Sequence, residues 1–216
     1  MDSTSIRELL LPFLQAGSAG GPATLSELQL RHISMYIDML LRWNARINLT
    51  AVRSAKEIVT RHFGESLFAA RLLFPAPNDQ ANMGHRFVDF GSGPGFPGLP
   101  IKILVPAIHA TLIESNQKKA TFLKEVRRAL TLTDVDVFSF RAEEFPAGQA
   151  DTVTLRAVER FETVLPSAVR LLAPDGHLAL LIGEAQVKAA LNIVSQLDWK
   201  LPIPIPLSEG RVILVG

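Results

Sequence analysis

The sequence predicts an α/β fold, with a mostly parallel sheet and helices on both faces, on three observations. From residue 87 onward, apolar runs of strand length alternate with segments of helical periodicity, which is how parallel strands joined by crossovers read. Residues 87–100, FVDFGSGPGFPGLP, form a strand, a glycine turn and a helix start. Phe87, Val88 and Phe90 are β-formers, Gly91, Gly93, Gly95 and Gly98 allow a tight turn and close approach of a ligand, and Pro97 suits a first helical turn. Finally, a second strand ends in Glu114, 19 positions after Gly95, the offset at which nucleotide-binding βαβ units place a carboxylate for a ribose diol.

Composition narrows the class. With 216 residues, 48% of them hydrophobic, the chain is long enough to bury a sizeable core as one domain plus a small extension. The absence of cysteine excludes disulfides and thiolate metal sites, and no metal is expected. Lys and Arg total 22 against 21 Asp and Glu, so any affinity for nucleic acid has to come from a local patch. No basic segment precedes an apolar signal core and no apolar run is long enough for a bilayer. A cytoplasmic protein with no membrane partner, acting as a monomer, is the expectation.

In chain order, residues 5–14 read as a short helix that Pro12 interrupts, and residues 16–22, AGSAGGP, as a flexible joint. Thr24 with Glu27, or Ser26 with Gln29, offers a capping box for a helix whose apolar positions Leu30, Ile33, Ile37, Leu40 and Leu41 run up to Trp43. The pattern breaks at residues 43–50, WNARINLT, where Asn44, Asn48 and Thr50 either lock a loop or touch substrate. Helix resumes over residues 54–73 with Arg61, His62 and Glu65; His62 reads equally as a satisfied, partly buried histidine or as a substrate contact. A polar loop over residues 75–84 divides an N-terminal helical extension, 1–84, from a cofactor domain, 85–216.

Within that second part, residues 99–105 are a helix closed by Pro106, 109–114 the second strand and 116–130 a helix. The last carries Lys118, Lys119, Lys124, Arg127 and Arg128 off its core face, with Lys118 and Lys119 near the strand ends where ligands gather. Residues 135–140 are the third strand, followed by Arg141, Ala142, Glu143 and Glu144 beside the expected adenine pocket. The fourth, 151–156, ends in Arg156, placed to pair with a ligand carboxylate or phosphate, or structurally with Glu159. Helix over 161–172, a turn at 174–176, a fifth strand over 177–182 and a helix over 184–197 follow. Residues 201–207, LPIPIPL, fit only a sheet edge, and 211–215 an antiparallel last strand.

The Gly93, Gly95, Gly98 spacing also satisfies the dinucleotide fingerprint. Asp89 opposes that reading, because a carboxylate beside the glycine turn repels a pyrophosphate. The sulfonium and ammonium of S-adenosylmethionine would be attracted by it.

The strings WNARINLT, RHFGES, FVDFGSGPGFPGLP, LIESNQKKATFL, RAEEF, LRAVER and GRVILV resemble the bacterial small-subunit ribosomal RNA methyltransferase G family, also called glucose-inhibited division protein B. The resemblance spans nearly the whole chain from about residue 25. It implies a Rossmann-like class I S-adenosylmethionine-dependent methyltransferase with a mostly parallel seven-stranded sheet, acting on N7 of one guanine, family position 527, in 16S rRNA or a small-subunit precursor. Carried over from the family, cofactor contacts fall on Gly91, Gly93, Phe96, Glu114, Ala142, Glu143 and Arg156. Substrate RNA is expected at Asn44, Asn48, Arg61, His62, Lys118 and Lys119. Three departures stand out: Glu65 where the family usually has Asp, Ile182 where it commonly has Lys, and a short segment between Gly183 and Arg211.

Guanine N7 carries an in-plane lone pair, so its methylation asks for alignment and not for a general base, and no side chain is singled out as catalytic. Three other readings stay open on the residues: a nicotinamide-dependent oxidoreductase, a non-enzymatic RNA-binding assembly factor, and a methyltransferase of another RNA or a small molecule.

Overall fold

The computed structural model describes residues 1–15, 23–76, 80–158 and 160–216. Seven strands form one sheet in the order β3-β2-β1-β4-β5-β7-β6. They are β1 (Arg86–Phe90), β2 (His109–Ile113), β3 (Val135–Phe138), β4 (Ala150–Arg156), β5 (Leu172–Gly183), β6 (Ile203–Pro204) and β7 (Arg211–Val215). The first five pair in parallel, while β7 runs antiparallel to β5 and to β6. Strand order reverses at β1, between β2 and β4, so the carboxyl ends of these three strands open a crevice where such sheets bind ligands.

Two helical layers cover the sheet, which is why the central strands are apolar on both faces. On one side α1 (Ser3–Gln15), α2 (Glu27–Asn44), α5 (Gly98–Leu104) and α6 (Gln117–Ala129) share one core, with Ile6, Leu10, Tyr36, Leu40, Leu99 and Phe122 all inaccessible or nearly so. On the other, α7 (Phe161–Arg170) and α8 (Glu184–Ile193) pack Leu165, Ala168 and Ala190 onto Val153, Leu178 and Leu180. The N-terminal helices therefore complete the sheet's own core.

Several local expectations need correction. Pro12 does not interrupt α1, because it lies on the exposed face, where the carbonyl it leaves without a donor is open to water. The cap of α2 is the Ser26–Gln29 box: the Gln29 N–H donates to Ser26 Oγ at 3.2 Å and the Ser26 N–H to Gln29 Oε1 at 2.8 Å. The predicted joint at 16–22 and the centre of the 75–84 loop lie outside the described residues. Residues 174–176 do not separate a helix from a strand but bulge within a longer β5, since Ala150 pairs with Leu172 while Thr152 pairs with His177.

The predicted single helix over 54–73 is three stretches: α3 (Ala55–Glu57), a π-helical stretch Ile58–Gly64, and α4 (Glu65–Leu73). A Cβ at Gly64 would sit 2.5 Å from the Phe13 ring, so the backbone here presses directly onto α1. The widened turn carries Arg61 and His62 over the end of β4, a placement in which π-bulges often serve a site.

Asp89 has a structural task beside any attraction of a cationic ligand. Its side chain is fully buried, with Oδ2 accepting the Gly98 N–H at 3.0 Å and Oδ1 accepting the Thr154 hydroxyl at 2.9 Å. Its carbonyl accepts the Ser92 hydroxyl at 2.9 Å. Gly98 has no room for more, since a Cβ there would lie 2.7 Å from Asp89 Oδ2 and 2.5 Å from Leu112. The carboxylate thus ties the end of the glycine turn to β4, and its charge reaches a ligand through space and not by contact.

Burial pushes the Asp89 carboxyl up to about 6 despite the donors around it. A carboxyl raised above its unfolded value of 3.8 stabilises the fold fully below that value, and the contribution is lost as pH rises through 6. Asp89→Asn can keep both bonds by turning its amide toward Thr154 and is expected to flatten this dependence. Wild type should lose on the order of 2–3 kcal/mol relative to the Asn variant between pH 4 and 7 in urea unfolding. Asp89→Ala, which strands two buried donors and has no carboxyl to titrate, is expected to cost roughly 2–4 kcal/mol near pH 4, the cost shrinking as pH rises through 6.

Candidate active site

The crevice is built from the three strand ends and one contribution of the N-terminal helices. After β1 the chain turns through Gly91 at φ 66° and Gly93 at φ 55°, left-handed conformations that glycine adopts without strain. The Gly93 N–H donates to Glu114 Oε2 at 2.9 Å, and the Asn116 N–H donates to Glu114 Oε1 at 2.7 Å. Glu114, at the end of β2, therefore holds the glycine turn and the start of α6 at once. Asn116 caps α6 by accepting the N–H groups of Lys118 at 3.0 Å and Lys119 at 3.2 Å.

Two adjoining cavities flank Glu114. The larger, about 560 Å³, is edged by Gly91, Gly93, Phe96, Glu114, Lys119 and Arg156, with Thr50 and His62 reaching in from the extension. The smaller, about 260 Å³, is edged by Phe140, Ala142, Glu143 and Val164 and shares Gly91, Glu114, Ser115 and Val158 with the first. An apolar slot for a ring, a carboxylate at its junction with a polar chamber, and a bare glycine turn between them suit an adenosine joined to a charged tail. Each Glu114 oxygen has one lone pair beyond its backbone bond, enough for the two hydroxyls of a ribose. All seven sequence-predicted cofactor positions thus border the two cavities.

Arg156 is placed differently from the expected free fork. Its Nη2 donates to Glu65 Oε2 at 2.9 Å and to the Arg61 carbonyl at 2.8 Å, and its Nη1 donates to His62 Nδ1 at 3.2 Å. Glu65 Oε2 also lies 2.9 Å from Arg211 Nη2, close enough to pair as charges although off the line of a hydrogen bond. The pair with Glu159 falls outside the described residues. One carboxylate between two guanidiniums leaves excess positive charge under the larger cavity, fitting an anionic end of a ligand. Ile182 is buried in the core beneath α8, and the cation at this edge is Arg211, whose register partner is Gly183.

Burial first, and then the charges of Arg156, Arg61 and Arg211, lower the His62 imidazole to about 3. Arginine only donates, so Nδ1 is the acceptor and Nε2 carries the proton. That Nε2–H meets Thr50 Oγ1 at 2.8 Å. The ring also stacks on Phe96 at 4.7 Å between centroids, and Phe96 stacks in turn on Tyr36 at 5.2 Å. Phe96 is consequently locked and shows the cavity little of its ring.

The remaining expected RNA residues divide. Asn44 is buried and faces away from the cavity: Oδ1 accepts the N–H groups of Leu49 at 2.9 Å and Thr50 at 3.1 Å, and Nδ2 donates to the Thr50 carbonyl at 3.0 Å. It sets the loop that presents Thr50. Asn48 is exposed and accepts from Arg53 at 3.2 Å, so Arg53 braces this loop as well. Arg61 and Lys118 are exposed at the rim, outside the cavity lining, while Lys119 borders it.

Tyr36, Glu65 and Arg211 were missed as parts of the site. Tyr36 carried a signal, being the chain's single tyrosine on the apolar stripe of α2, where a buried hydroxyl needs a partner. It donates to the Pro94 carbonyl in the glycine turn. Tyr36→Phe is expected to lower stability by about 1 kcal/mol and to weaken ligand binding at the turn, read by thermal unfolding with and without ligand.

Comparison with known proteins agrees with this architecture. The sequence model of the family GidB, rRNA small subunit methyltransferase G, matches residues 29–196. Among curated relatives named ribosomal RNA small subunit methyltransferase G, that of Exiguobacterium sp. is 39% identical over 94% of this chain and 88% of its own length. That of Roseiflexus castenholzii is 38% identical over 88% and 84%. That of Bacillus subtilis is 33% identical over 93% and 87%. Among solved structures, a ribosomal protein L11 methylase from Lactobacillus delbrueckii is similar with a TM-score of 0.54 at 15% identity, over 70% of this chain and 77% of that one. A SAM-dependent O-methyltransferase from Thermotoga maritima is similar with a TM-score of 0.53 at 16% identity, over 69% and 63%. The sheet order, the glycine turn braced by Glu114 and the extent of these matches place this chain in the GidB family of small-subunit ribosomal RNA methyltransferases.

Proposed function

We propose that this enzyme transfers the methyl group of S-adenosylmethionine to N7 of a single guanine in 16S rRNA, family position 527, within the small subunit or a precursor of it. S-adenosylmethionine supplies an electrophilic methyl group on a sulfonium. Glu114 would hold the ribose, the slot beside Ala142 and Glu143 the adenine, and the turn at Gly91 and Gly93 the methionine portion, over the positive charge of Arg156 and Arg211. The extension, residues 1–84, would form the wall facing the acceptor base and residues 85–216 the donor side, acting as a monomer.

The observation that carries the reading is the state of His62. It is the imidazole nearest the reacting chamber, it is held neutral by burial and three arginines, and both ring nitrogens are engaged. Such a group neither takes nor gives a proton near neutral pH, which suits an acceptor atom that has no proton to lose. Lys118 and Lys119 sit in the first turn of α6, where a cation opposes the helix dipole. The cost is reasonable if an RNA phosphate meets them.

The purified protein, given labelled S-adenosylmethionine and small subunits from cells lacking the activity, is expected to label one guanine that becomes sensitive to reduction and aniline cleavage. Label at another atom, or none, would overturn the reading. Glu114→Gln is expected to weaken cofactor binding by roughly 10-fold or more in calorimetry, since it turns a doubly braced acceptor into a half donor. Reversing Lys118 and Lys119 to Glu is expected to weaken RNA binding and reduce the slope of log K against log salt by about 2. The rate of methyl transfer should show no ionisation of His62 between pH 5 and 8, because that group titrates near 3.

A further inference from the structure

We propose that Thr50 is the residue that selects guanine, donating its hydroxyl hydrogen to O6 of the acceptor base. The inference deepens the N7 reading above and rests on it.

The argument is a count of lone pairs and hydrogens along one chain of bonds. Arg156 donates to His62 Nδ1 at 3.2 Å, so the neutral ring keeps its hydrogen on Nε2. That hydrogen points at Thr50 Oγ1, 2.8 Å away. The Val52 N–H donates to the same oxygen at 3.1 Å. A hydroxyl oxygen has two lone pairs and one hydrogen; both lone pairs are taken, and no acceptor for the hydrogen is found among the described residues. Thr50 edges the larger cavity, so its hydroxyl is left as a one-way donor facing the chamber.

A group able only to donate reads the bases unequally. On the edge that carries N7, guanine shows a second acceptor, O6, whereas adenine shows an amino donor. A guanine aligned for attack through N7 therefore brings O6 beside it as the complement of Thr50, and an adenine brings a hydrogen against a hydrogen. The same chain of bonds gives Asn44 and Arg156 their place. Asn44 accepts the Thr50 N–H at 3.1 Å and fixes where the hydroxyl starts from, and Arg156 fixes which way it points. Both are positioning residues, and of the three Thr50 is the one that would touch the base.

The test compares substrate RNA carrying guanine at the modified position with RNA carrying 2-aminopurine there, which keeps N7 and lacks O6. Wild type is expected to favour guanine in kcat/KM by roughly 10- to 100-fold. Thr50→Val should bring that ratio close to one by slowing guanine far more than 2-aminopurine, and Thr50→Ser should restore it. A merely structural Thr50 would slow both RNAs alike and keep the ratio, which would overturn the inference. His62→Phe keeps a ring on Phe96 and removes the donor that orients the hydroxyl, so it should narrow the ratio as well. Should Thr50→Val misfold, as judged by calorimetric binding of S-adenosylmethionine, a full ratio in His62→Phe overturns the proposal instead. If the wild-type product maps away from N7, the underlying reading fails; if it maps to N7 and the ratio ignores Thr50, only this inference fails.

Discussion

The site depends on a buried carboxylate whose two oxygens both bond to the protein itself. Asp89 lies at the end of the central strand with no solvent contact, and its two oxygens clasp the Gly98 N–H and the Thr154 hydroxyl. Removing an ion from water is costly, which is why its ionisation is displaced toward neutrality. The return is geometric: the glycine turn is fastened at its far end to the neighbouring strand. Glu114 fastens the near end through Gly93, and Tyr36 the middle through Pro94. A loop of glycines has the most conformational freedom to lose on ordering, and three side chains from three elements remove it before any ligand arrives.

The second organising feature is charge held in excess. Glu65 stands between Arg156 and Arg211, both largely shielded from water. A buried pair balances; a buried triad with two cations does not. Burial first, and this surplus after it, empties His62 of its proton, and the Arg156 donor directs its tautomer. One electrostatic arrangement in the floor of the cavity thereby determines the hydrogen-bonding sense of a residue at its wall. The widened π-helical turn makes this possible, since it brings the Arg61 carbonyl and His62 onto the same guanidinium.

The sheet, its helices and the cofactor crevice were legible in the sequence because their signals are local. Periodicity marks the strands, a glycine turn marks the crevice, and a spacing from Gly95 marks Glu114. The seven cofactor positions, which the family resemblance implies, border the cavities because they lie at or just beyond the carboxyl ends of β1 to β4. What was not legible depends on partners far apart in the chain. Asp89 reads as a ligand-facing charge until Thr154 and Gly98 are seen to enclose it. Arg156 reads as a free fork until Glu65, 91 positions away, is seen to occupy it. The π-helical turn ends at Gly64, which lies against Phe13 in a contact between helices that no local pattern announces.

These long-range contacts explain why the N-terminal helices are built into the core and not appended to it. A donor site made only from the sheet would have a chamber open on one side, with nothing to hold an acceptor at the angle that in-line transfer needs. Residues Thr50 and His62 close that side. They can do so with accuracy only if the loop of Thr50 and the π-helical turn of His62 are fixed against the strand that carries Arg156. The fixing is visible: α1 presses on the π-helical turn at Gly64, α2 packs Tyr36 against the glycine turn, and Asn44 at the end of α2 holds the loop of Thr50. The proposed donor and acceptor sides are thus referenced to the same buried core, and on that proposal their alignment is a property of the fold as a whole.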